Sequence, residues 1–363
     1  MKKTFLIYII IISFMCFRIT SYADTTEDYY DALEKSIPNH LSEFYSDKDI
    51  TSPITSGDFL EYLLSQFKNY MVSPLTIFIE LLFIIIICSV FHSFSHMIKN
   101  STMTNIFELS VNICASLCIL TNVYDCISES EIYIRQICDF SLSLSPIVSG
   151  ICVLGGNVSS ATVISGGITF FVGICQAAFI IILFPMIKLL FSLSVVCSFN
   201  ESGFNLNGLM IVIKKTFGTI LGFTVMFYSA VVSCQNYTSS AADSIGARTL
   251  RFTIGNIVPV VGASLGEAVR SVGGALSVLR QTVGGVGIAV VLLLVLPCII
   301  RIVLYRFVFW LLSSFAGMLL CKNEALMIEN IASVYGLTLA LVVCSSIMLI
   351  FLLSVFSNLS TII

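Results

Sequence analysis

The sequence predicts an all-α, polytopic membrane protein with about seven spans and a re-entrant or broken hairpin. Three observations lead there. Hydrophobic residues make up 57% of the 363-residue chain, charged residues only 11%, and mean hydropathy is +1.00. A soluble domain carries about 25% charged residues, so this chain has too little polar surface to cover a water-facing globule. Several uncharged apolar runs reach the roughly 20 residues that a spanning helix needs. The formal net charge is only −3, and no basic patch with interleaved aromatics occurs, which argues against a nucleic-acid partner.

The chain opens with the pattern of a secretory signal. Lys2 and Lys3 precede an apolar stretch from Phe5 to Phe17, and Ser21-Tyr22-Ala23 places small residues where a signal peptidase cuts. Residues 1–23 are therefore expected to be a signal peptide, with an uncleaved anchor as the alternative. Residues 24–72 form an acidic extracytoplasmic region in which Asp and Glu outnumber Lys35, Lys48 and Lys68, and Pro38 and Pro53 interrupt it. Its clearest element is an amphipathic juxtamembrane helix from Ser56 to Met71. Ser56 can cap it, Asp58 and Glu61 suit its first turn and Lys68 its end. Phe59, Leu63 and Phe67 share one face, which suits a membrane surface or a partner.

The transmembrane domain, residues 73–363, follows. Spans are expected near Leu75–Phe94, Met103–Val123, Ser165–Ile187, Phe217–Ser233, Val286–Ile300, Val303–Leu320 and Val334–Phe356. Phe140–Ser165 is apolar but rich in Ser and Gly, with Pro146 near its start; it reads as a hairpin, or as a pair of true spans. Loop charge then sets orientation. With the acidic region outside, Lys99, Lys188, Lys214, Lys215, Arg301 and Arg306 fall inside. The loop carrying Asp125, Glu129 and Glu131 falls outside. Residues 239–282 stand apart: Arg248, Arg251, Glu267, Arg270 and Arg280 lie on an apolar, glycine-rich background. Helical segments broken at Gly255–Pro259, lying at the interface, fit that pattern.

Catalytic signatures are missing. Lys214-Lys215-Thr216 follows an apolar run rather than a glycine-rich loop, and neither HExxH nor GxSxG occurs. The 13 cysteines are scattered through apolar runs without a CxxC pair, where they behave as small hydrophobes. Cys126 and Cys138 flank the acidic loop and can pair if that loop is extracytoplasmic. His92 and His96 are spaced for one helix face, but no third ligand stands near them, so they read as interfacial polar residues. No cofactor or metal is expected. Glu80 and Glu108 are the better clue to function. A charge at the centre of a helix in lipid costs about 2.5–3.5 kcal/mol, so each is expected to face the bundle interior or to sit near an interface. Gly262 and Gly266, like Gly218 and Gly222, permit close helix approach.

The stretch Ala241-Ala242-Asp243-Ser244-Ile245-Gly246-Ala247-Arg248-Thr249-Leu250-Arg251-Phe252, running on through Gly255, Asn256 and Pro259 to Gly262, resembles the stage III sporulation protein AE family of endospore-forming bacteria. A signal peptide, a short acidic ectodomain and many spans agree with it, as do Phe184-Pro185 and the span from Thr282 to Pro297. The resemblance implies a multi-pass protein of the mother-cell membrane around the engulfed forespore. It also implies a complex with an ATPase and ring-forming membrane proteins that makes a channel for late forespore development. No catalytic residues come with it. Gly255, Asn256, Pro259 and Gly262 join Arg248, Arg251, Glu80 and Glu108 as candidate functional residues. An autonomous transporter using Glu80 or Glu108, or a purely structural scaffold for ring-forming partners, are the alternatives.

Overall fold

A computed structural model describes residues 56–98, 101–154, 158–198, 206–257, 262–319 and 321–357. The signal peptide, the acidic stretch before Ser56, and Pro259 lie outside the described residues. Every regular element among those described is helical: α1 (Ser56–Ile98), α2 (Ser101–Leu154), α3 (Val158–Ile174), a π-helical segment (Cys175–Leu183), α4 (Phe184–Ser198), α5 (Leu206–Ile257), α6 (Gly262–Met318) and α7 (Lys322–Ser357). Among the described residues, six stretches are long and apolar enough to cross a membrane: Tyr70–Val90, Ile113–Leu154, Val158–Cys197, Gly208–Gln235, Gln281–Met318 and Asn323–Ser357.

The helices are longer than expected, and this revises the span count. Val286–Ile300 and Val303–Leu320 are one uninterrupted helix, α6, with Pro297 inside it. The acidic segment around Glu129 is not a loop but the middle of α2, which continues past Pro146 to Leu154. Phe140–Ser165 is accordingly the end of α2 and the start of α3, two helices packed side by side. The juxtamembrane helix is described from Ser56 and runs through Pro74 into the first span, so the two form one continuous helix. Of the break expected at Gly255–Pro259, Gly255 lies within α5, which is described to Ile257, and residues 258–261 lie outside the described residues before α6 resumes at Gly262.

Side-chain contacts give the order of packing. α6 and α7 run antiparallel. A Cβ on Gly284 would sit 2.9 Å from that of Ser357, and one on Gly336 would sit 3.1 Å from the Arg306 guanidinium carbon. Only a glycine admits either neighbour without a shift. α2 packs antiparallel to α6, with Leu144 beside Gly287 at one level and Glu129 beside Arg301 at another. α1 lies along the later half of α6, where Phe78 meets the ring of Phe315 at 6.3 Å. α3 and α5 meet through Phe171 and Tyr228. The shared interior is filled by fully buried Ile119, Ile134, Phe179, Val290, Ile302, Phe309, Ile331 and Leu341.

Candidate functional site

Charged, polar and aromatic side chains from six helices gather around the middle of the bundle. Glu129 of α2 pairs with Arg301 of α6. Two residues on in α2, about half a turn round, Glu131 accepts from Lys188 of α4 at 3.0 Å and from Arg135 at 2.9 Å. Lys214, near the start of α5, donates to the Asn330 side chain of α7 at 3.1 Å. The guanidinium of Arg301 lies over the Tyr305 ring at 5.8 Å, and Tyr305 stacks on Tyr335 at 5.5 Å. The Tyr305 hydroxyl hydrogen-bonds Ser73 of α1 at 2.7 Å. The layer thus ties α1, α2, α6 and α7 together, with α4 and α5 joined at its rim.

These pairs correct the expected orientation. The segment carrying Glu129 and Glu131 cannot lie across a bilayer from Lys188 and Arg301 while bonded to them. It is at their level, and its acidic charge is balanced there. The disulfide considered for Cys126 and Cys138 is excluded as well. Both are free, buried thiols on α2, separated by about 18 Å of helix at 1.5 Å per residue.

The layer also divides the apolar surface in two. From Gln281 to Arg301 is about 30 Å of helix, one hydrocarbon thickness. From Arg301 to Met318 is a further 26 Å or so. Both sides are apolar. Beyond the layer toward Met318 the exposed surface carries Ile79, Phe83, Leu117, Phe307 and Trp310; toward Gln281 it carries Leu142, Ile181, Phe223 and Phe227. A groove of about 890 Å³ opens on this second side, between small residues of α3 such as Gly166, Thr169 and Gly173 and Phe223 and Phe227 of α5.

The residues singled out from the sequence are not brought together. Glu80 is exposed on α1, midway along Tyr70–Val90, and does not face the bundle interior. Glu108 belongs to α2, and Arg248, Arg251, Gly255 and Asn256 to the end of α5, while Gly262 opens α6; their side-chain surroundings lie outside the described residues. Sequence reasoning used Glu129, Lys188 and Arg301 only as loop charges. The signal that pointed to more was the position of Lys188 and Arg301 inside otherwise unbroken apolar stretches, since a charge tolerated there needs a partner.

The model of the stage III sporulation protein AE family matches residues 42–360. The chain is 22% identical over 291 residues to stage III sporulation protein AE of Bacillus subtilis (strain 168), an alignment covering 80% of this chain and 72% of that one. No solved structure matches.

Proposed function

This chain belongs to the stage III sporulation protein AE family, and on that footing we propose that it is a non-enzymatic component of a membrane complex joining mother cell and forespore. In this reading it sits in the mother-cell membrane around the forespore and helps partner chains, an ATPase and ring-forming membrane proteins among them, to build a channel. The observation that supports assembly is the height of its apolar surface. Ile113–Leu154 is 42 residues, about 63 Å of helix. Fitting that length into a 30 Å hydrocarbon core needs a tilt of about 60°, beyond the 0–40° range of membrane helices. One of the two apolar bands therefore needs a cover other than this bilayer. Glu80 points to the band built on α1, because an exposed carboxylate midway along it is costly against lipid and suits a polar group on a partner.

The filled interior among the described residues supports a path between chains over one through this chain, and disfavours an autonomous transporter. The test is site-specific photocrosslinking in sporulating cells. Probes at Phe83 and Phe307, on the Glu80 side, should trap protein partners, while a probe at Leu142 should meet lipid. Lipid-only adducts at Phe83 and Phe307 would contradict the reading, as would substrate flux in vesicles containing this chain alone.

A further inference from the structure

The geometry points to a zinc site that clips α1 to the turn between α6 and α7, built from Cys88, Cys321 and Glu324. The three residues come together from distant parts of the chain, and all are buried. Their donor atoms lie within 4.8 Å of one another, and the Cys88 sulfur is 3.4 Å from a Glu324 carboxylate oxygen. For a tetrahedral ion with a metal–sulfur distance of about 2.3 Å and a metal–oxygen distance of about 2.0 Å, that edge is about 3.5 Å. The Cys88–Glu324 edge therefore already has the length that a bound ion requires, and Cys321 lies close enough to close the triangle with a small shift.

The surroundings hold this arrangement in place. The turn is short and tied by backbone bonds, from the Cys321 N–H to the Ala316 carbonyl at 3.1 Å and from the Ala325 N–H to the Cys321 carbonyl at 3.0 Å. Ser313 of α6 donates to the Ala325 carbonyl at 3.1 Å, locking the first turn of α7 against α6. Glu324 is in that first turn, where the helix dipole favours a negative charge. It is only 4% exposed, and no described ion pair reaches it. A buried carboxylate bonded only by a thiol is expensive, and a divalent cation removes that cost.

Two thiolates and a carboxylate select a borderline-soft, tetrahedral ion over magnesium or calcium, which take oxygen ligands. On binding, Cys88 and Cys321 each release a thiol proton to solvent as the sulfur–zinc bonds form, and Glu324 binds as the carboxylate. Three protein ligands leave a fourth position. Water completes the tetrahedron there.

The experiment uses the full chain purified in detergent under reducing conditions and dialysed against zinc. About one zinc per chain is expected, lost in Cys88→Ser and in Cys321→Ser but kept in Cys344→Ser. Glu324→Gln should weaken binding. Because a cysteine variant can fail to fold, cobalt(II) is added to the unaltered protein in parallel; it should give the near-ultraviolet charge-transfer absorption of thiolate ligands and tetrahedral visible bands. Reduced wild-type protein that binds no zinc overturns the proposal. So do zinc that survives loss of both cysteines, and a Cys88–Cys321 disulfide in protein isolated from sporulating cells.

Discussion

Removing Glu129 should harm the fold more than removing Glu129 and Arg301 together. The argument rests on the asymmetry of the pair: the Arg301 side chain is 18% exposed, and that of Glu129 is 42% exposed. In Glu129→Leu the guanidinium stays in place, mostly buried, with only the face of Tyr305 beside it and its Nε already lacking a hydrogen-bond partner. Leaving a buried charge unpaired costs about 3–5 kcal/mol when both partners are fully enclosed. Half-exposure of Glu129 reduces the pair's share, so about 2 kcal/mol is expected here. Arg301→Leu leaves a carboxylate that water or headgroups can reach, and forfeits a cation–π contact of about 0.5–1 kcal/mol. The double variant should therefore be no worse than Arg301→Leu alone, with a coupling of about 2 kcal/mol. Reversible unfolding in mixed micelles, read as the shift in folding equilibrium, measures this; about 1.4 kcal/mol is tenfold in that equilibrium constant. Additive losses in the double variant would show that the two charges do not depend on each other.

Three further outcomes follow from the same structure. Cysteines placed at Glu129 and at Lys188 should be labelled by a membrane-impermeant reagent from the same side; labelling from opposite sides would contradict the Glu131–Lys188 pair. Gly336→Val should destabilise the α6–α7 pair by about 1–3 kcal/mol in the same micelle assay, because its side chain would meet the Arg306 guanidinium; a neutral result would show that Arg306 swings away freely. Arg248→Glu with Arg251→Glu should insert and accumulate normally yet lose co-purification with partner proteins and block late forespore development, if this basic end of α5 is a docking face. Retention of both partners and sporulation would exclude that role.

Helix class and the helix described from Ser56 were legible because each has a local cause. Apolar periodicity and a capping serine act within a few residues. The continuity of α2 and α6 was not legible. Asp125, Glu129 and Glu131 read as a loop because their charge is incompatible with lipid when considered one segment at a time. What makes them helical is Lys188 and Arg301, and nothing in a single sequence assigns those partners. Cys88 and Glu324 illustrate the same limit at a separation of 236 residues. Orientation from loop charge failed for a related reason: the rule counts basic residues as free, and here two of them are already neutralised across the bundle.

The π-helical segment Cys175–Leu183 sits just before Lys188 in the same continuous rod. Bonds closed over five residues rather than four pack more chain into each unit of length, so these nine residues hold slack. Taking up that slack as ordinary α-helix would push and turn everything downstream, carrying the Lys188 ammonium away from Glu131. The tether and the slack are thus in series. A pull on α4 is resisted by that ion pair together with the buried packing of Phe184, Ile187 and Leu190, and the slack sets how far the rod extends once both yield.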